Sequence, residues 1–177
     1  MRCLIATTRI AGTDRREGTM PSIVKRVEKR RESLLYPEEV AIAACLAMPH
    51  RTGAKQLWAA AAGGATGALL AERRAAKGAV DQVGMASVFA STAMVVVVVT
   101  DLRLAVFRQD RAGRPTEHLA SLPADQLMAA SYQGSGLVAE LTVWFGDGTA
   151  ASVDVQRNTG GASVADAIDG LIASRQG

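Results

Sequence analysis

Apolar and polar residues alternate most plainly in the last third of the chain. Over "LVAELTVWFGDGTAASVDVQR", Leu137, Ala139, Leu141, Val143 and Phe145 fall on one face of an extended segment, with Val138, Glu140, Thr142 and Trp144 on the other. In the second arm Ala151, Val153 and Val155 alternate with Ser152, Asp154 and Gln156, and the intervening Asp147-Gly148 suits the positive φ of a hairpin turn. Upstream, "RLAVFRQD", "TEHLASLP" and "DQLMAASYQ" read as three more strands, with Gly113 and Pro115 marking the turn after the first. The period lengthens to that of a helix in "SVADAIDGLIAS". There Val164, Ile168, Leu171 and Ile172 form a stripe, and Ser163 with Asp166 resembles a capping box.

Five consecutive valines, Val95 to Val99, break the alternation inside an uncharged window from Gln82 to Thr100. A membrane-spanning helix needs about 20 apolar residues, so length alone admits one. Gln82, Gly84, Ser87, Ser91 and Thr92 interrupt the window, its apolar end is β-branched, and "TDLRLAVF" follows with a tight turn and a partner strand. The run therefore predicts a strand with Val95, Val97 and Val99 on the core face and Val96 and Val98 on the other. That second face needs a cover, which makes Val96 and Val98 candidate interface residues. The inserted segment, the N-terminal helix and a second copy of the chain are the possible covers.

The front of the chain is less regular. Residues 1–19 have no sustained period and read as a disordered extension, with Met20 a candidate for the true start. "PSIVKRVEKRRESLL" predicts a basic amphipathic helix over 20–35, with Pro21 in its first turn and Ile23, Val27 and Leu34 along one face. "YPEEVAIAACLAMP", residues 36–49, contains an Ala-rich strand. An insertion at about 51–90 follows, in which Ala59, Gly63, Gly67 and Ala71 are spaced four apart, as are Ala60, Gly64 and Ala68. Small residues so spaced permit close helix contact; the other reading is an Ala/Gly-rich insertion. Its uncharged part, Gln56 to Ala71, would span about 24 Å as a helix, short of the roughly 30 Å hydrocarbon layer.

Charge adds a direction to this layout. Residues 1–50 carry nine Lys/Arg against six Asp/Glu, and 91–177 carry six against nine, so the basic excess is N-terminal. The chain lacks the dense basic stripe of a dedicated nucleic-acid binder, which argues against a nucleic-acid partner. A basic helix with an apolar stripe suits either packing on the domain or attachment to an anionic membrane. In the insertion, Arg51, Lys55, Arg73, Arg74 and Lys77 are candidate ligands for an anion such as phosphate, and Trp58 a candidate interface anchor. Trp144, on an otherwise polar face, is another.

Catalytic chemistry finds little footing. Cys3 and Cys45 have no CxxC spacing, and with only His50 and His118 to join them they suggest neither a disulfide framework nor a metal site, so a reducing cytoplasm is the simplest compartment. "AGGATG" is no phosphate loop. Glu117 and His118, adjacent on a strand, point to opposite faces and cannot work as an acid–base pair. His50, after Pro49, reads as a surface residue. No enzyme, cofactor or catalytic residue is expected.

Strands near 38–49, 93–100, 103–110, 116–122 and 126–133, two hairpin arms and one final helix outline a mainly β protein. The count predicts a seven-stranded antiparallel barrel with a capping helix, with 36–177 as its domain. The segments "VTDLRLAVFR" (Thr100, Asp101, Arg103, Leu104), "EHLASLPADQL" and "LTVWFGDGT" resemble those of bacterial PH-like proteins of the YokE-like type, and the insertion is similar to that of actinobacterial members. The resemblance covers about 93–175, and more loosely 37–49. It implies a PH-like barrel, a non-catalytic binding or scaffold role through protein contacts or self-association, and membrane-proximal action as the alternative. It does not imply phosphoinositide binding, because the valine strand lacks the basic residues that such PH domains carry there.

Overall fold

The computed structural model describes residues 22–50, 84–90, 93–110, 112–134 and 136–176. Among the described residues alternation becomes seven strands: β1 (Ala41–Pro49), β2 (Val95–Thr100), β3 (Arg103–Gln109), β4 (Pro115–Pro123), β5 (Leu127–Gln133), β6 (Val138–Phe145) and β7 (Ala150–Gln156). They form one antiparallel sheet in the order β4-β3-β2-β1-β7-β6-β5. Local hairpins thus build two meanders, β2-β3-β4 and β5-β6-β7, and β1 joins them. β4 and β5 are the two edges; a short 3-10 turn, Ala124–Gln126, links them in sequence, yet they do not pair, so the sheet is not closed.

Both faces of the sheet are buried near its centre, and the valine run explains why. Val95, Val97 and Val99 enter a core with Leu104, Leu141, Val143, Phe145 and the C-terminal helix, while Val96 and Val98 enter a second core with Ala105 and Phe107. A strand covered on both sides has no use for a polar residue, hence five valines in succession. The second core is roofed by the N-terminal segment through Ile23, Val27, Leu34 and Leu35.

That segment is two short helices, α1 (Ile23–Glu28) and α2 (Arg31–Leu34), where the sequence suggested one. Ser22 caps α1, its hydroxyl accepting from the Lys25 amide at 3.4 Å, and the turn at Lys29-Arg30 redirects the chain so that Leu34 and Leu35 also reach the sheet. Its arginines are used locally, while Lys25 and Lys29 are exposed. Arg26 Nη1 donates to the Ala112 and Gly113 carbonyls at 3.1 and 3.2 Å, and Arg30 Nη1 to that of Pro115 at 3.1 Å, tying α1 to the β3–β4 turn.

The last helix, α3 (Gly161–Gln176), packs Val164, Ala165 and Ile168 into the first core, with Leu171 and Ile172 at its margin. It begins before the expected capping box, so Ser163 lies inside the helix. Gly160 has a φ of +99°, and a Cβ there would lie 2.5 Å from the Ala44 carbonyl oxygen; one on Gly161 would meet the Tyr132 ring. The approach of α3 to the sheet is therefore set by two glycines, not by a serine cap. Asp169 Oδ1 accepts from the Ala130 amide at 3.3 Å, occupying part of the β5 edge.

Residues 84–89, expected within the insertion, form a 3-10 turn that belongs to the core. Ala86, Val88 and Phe89 are buried, and Phe89 lies 6.4 Å from Phe145, ring centre to ring centre. The β6–β7 hairpin tip holds this turn: Asp147 Oδ2 accepts from the Met85 amide at 2.7 Å and Thr149 Oγ1 from that of Ala86 at 3.2 Å. Among the described residues no helix is long and apolar enough to cross a membrane.

Candidate functional site

The "TDLRL" motif turns at the end of the β2–β3 hairpin, and its polar residues face inward. Glu39, fully buried, accepts from Arg103 Nε at 2.7 Å and Nη2 at 2.9 Å, from Thr100 Oγ1 at 2.7 Å and from the Tyr36 amide at 2.8 Å. A carboxylate taken out of water needs this many partners. Burial pushes its pKa up, but the bonds from Arg103, Tyr36 and Thr100, with the Arg103 charge, outweigh burial and hold it below the usual carboxylate value. Thr100 Oγ1 also accepts from the Leu102 and Arg103 amides, closing the turn, and Arg103 Nη2 reaches the Leu34 carbonyl at 3.5 Å.

Three large apolar side chains are mounted on this lock and point outward. Tyr36, Val40 and Leu102 are 58%, 49% and 52% exposed. Each is fixed through its neighbours. The Arg103 guanidinium sits 4.2 Å from the Tyr36 ring centre, Val40 and Asp101 exchange hydrogen bonds at 2.9 and 3.2 Å, and the Leu102 carbonyl accepts from the Ala124 amide at 2.9 Å. Glu38, Asp101 and Asp125 are exposed beside them, with Arg31 nearby donating to the Pro37 carbonyl at 3.3 Å. The end of the molecule at the β2–β3 turn is thus an apolar patch, rigid beneath and acid-rimmed at its border. Patches of this kind mark contact sites more often than isolated exposed leucines do.

Other constellations are structural by their geometry. His50 is half-buried rather than a plain surface residue: Nδ1 lies 3.1 Å from Asp154 Oδ1 and Nε2 3.9 Å from Glu140, fastening the end of β1 across β7 to β6. Ser152 Oγ is 2.8 Å from Thr142 Oγ1, so its hydroxyl is engaged with a threonine. His118 meets the Phe107 ring edge-on at 5.5 Å while Glu117 pairs with Arg108 at 3.1 Å, the opposed directions expected of strand neighbours. Cys45 is buried, and burial pushes its thiol up to about 12, where it is an inert core group. A groove of about 830 Å³ runs between α1, the outer side of β1 and the start of α3, floored by Ile42, Ala44 and Leu46. Among the described residues no cluster of His, Cys, Asp and Glu could hold a metal ion.

Of the residues singled out from sequence, Arg51, Lys55, Trp58, Arg73, Arg74 and Lys77 lie outside the described residues. Val96 and Val98 are 0% exposed: among the candidate covers, the N-terminal helix of the same chain is in place, so neither side chain is presented to another molecule. Trp144 is 40% exposed on the outer face, opposite Ala129 and Ala150. Tyr36, Val40 and Leu102 carry no sign of exposure in the sequence, although Leu102 stands inside the "TDLRL" motif. Its exposure follows from the turn, since Thr100 and Arg103 take the inward positions.

Comparison with known proteins gives no matching family model, no matching curated protein and no matching solved structure.

Proposed function

We propose that the chain is a non-catalytic PH-like binding or scaffold module that works through contact with another polypeptide, self-association included, and that Tyr36, Val40 and Leu102 form the contact surface. The observation that carries this reading is the mounting of three exposed apolar residues on a buried, fully bonded Glu39–Arg103–Thr100 lock. Such a platform holds the main chain beneath these residues in place before binding, which favours a contact role. The PH-like assignment draws support from the two meanders, the helix packed across the sheet and the motif at the β2–β3 turn. It takes the sheet as a barrel whose edge strands stay unpaired.

The alternative, attachment to anionic lipid through the basic helix and the insertion, draws less support from α1. Its apolar stripe is spent on Val96 and Val98, and Arg26 and Arg30 on backbone carbonyls. Inserting that stripe into a bilayer would uncover the second core.

A random-peptide display selection on the immobilised chain tests the module reading, with the Val40→Glu/Leu102→Glu double variant as counter-target. Peptides that bind the chain and not the variant are expected. Recovery of no such peptides, together with a monomeric mass at all concentrations, overturns it.

A further inference from the structure

We propose that the partner segment at this surface is basic: apolar anchor residues flanked by lysine or arginine, in a polypeptide other than this chain. The inference rests on the interaction-module reading and adds the chemistry of the partner. Among the described residues, Glu38, Asp101 and Asp125 stand around Tyr36, Val40 and Leu102, three carboxylates against one uncancelled cation, Arg31. Arg103 is buried against Glu39, and Arg31 donates to the Pro37 carbonyl. The rim is therefore net negative while the centre is apolar. Apolar centres with charged rims gain affinity from the first and select partners by the second.

The sign of the rim also chooses between classes of occupant. An anionic bilayer would face three carboxylates at the depth where Tyr36 and Leu102 would have to enter, and like charges there oppose approach. A basic peptide meets the same carboxylates as complements. Among the described residues, the basic segment of a second copy is the less suited occupant, because its apolar residues Ile23, Val27, Leu34 and Leu35 are buried in that copy's own second core.

The test is an amide NMR titration of the full chain with a capped peptide of alternating leucine and lysine pairs, set against the same peptide with glutamate in place of lysine. Saturable shifts confined to the amides around Val40, Asp101, Leu102 and Asp125 are expected. The glutamate peptide should bind about tenfold more weakly, as two or three rim charge contacts of about 0.5–0.7 kcal/mol each would give. Glu38→Lys/Asp125→Lys should narrow or reverse that preference, and because both side chains are exposed the thermal midpoint should hold. Equal binding of both peptides, or shifts that map elsewhere, overturns the proposal. So do lipid-driven shifts at the patch with anionic vesicles, or a dimeric mass whose formation protects the patch amides. If the display selection yields patch-dependent peptides that are not basic, this inference falls and the module reading stands.

Discussion

Removing the Glu39 charge leaves Arg103 buried against a neutral amide, and a broken buried pair costs about 3–5 kcal/mol. Glu39→Gln should therefore shift the urea midpoint strongly, while the paired Glu39→Leu/Arg103→Met variant should recover much of the loss. Acid should act through the same group. Because the folded-state pKa of Glu39 lies below its unfolded value, its contribution is complete above the unfolded pKa and is lost as pH falls through the folded one. Wild-type stability should decline below about pH 4.5, the ordinary value, and Glu39→Gln should show a shallower decline in midpoints measured from pH 7 to 3. Asp147 adds a decline of the same sign, since its bonds from Thr149 and the Met85 amide also hold it low. At this scale the sequence disclosed one half of each arrangement. Thr100 and Arg103 stood out as a motif, but Glu39, about sixty residues earlier, carries no local sign that it is their partner. The position of the helix cap was misplaced for a comparable reason, since what decides it is a contact between Gly160 and Ala44 across the fold.

Strands were legible because alternation survives wherever one face is wet, as in β6 and β7, and because a doubly buried strand leaves an unbroken β-branched run. Helices are less legible: α1 and α2 share a stripe that sequence alone assigns to one element. The seat of α3 gives a sharp test. Gly160→Ala must hold a left-handed φ and displace the Ala44 carbonyl, which should cost about 3 kcal/mol. Calorimetry should find the loss, with the same fold in far-ultraviolet dichroism. The connection between β1 and the 84–89 turn gives another. Its two ends are fastened to the same hairpin, His50 at Asp154 and Glu140, and Met85 at Asp147. Glu140 to Asp147 covers roughly 23 Å at the rise of a strand. A Gly/Ser linker of about ten residues in place of 51–83 should therefore leave the dispersed amide spectrum of the sheet intact, whereas one of four residues should not reach.

At the scale of the whole molecule, the mainly β class and the strand count could be read from the chain, and the open edge could not. Closure depends on whether β4 and β5 come within bonding distance, and their linker, Ala124–Gln126, reveals nothing of that in its residues. The contact surface was hidden similarly. Charge and apolar content can be summed along a chain, but Tyr36, Val40, Leu102 and Asp125 become neighbours only after β1 lies against β2. That placement of β1 has a consequence in time. Each meander is made of hairpins between adjacent segments, whereas β1 waits for β2, about fifty residues on, and for β7, more than a hundred residues on. Chain closure over such distances is slow. The two meanders should accordingly form first and β1 should slide between them last, bringing α1, the lock and the patch with it. Ala43→Gly and Ala47→Gly should speed unfolding while scarcely slowing refolding in stopped-flow chevrons, and Val143→Ala should slow refolding. On that order of events, the surface that meets a partner is finished only when the molecule itself is finished, and a half-folded chain has nothing to offer it.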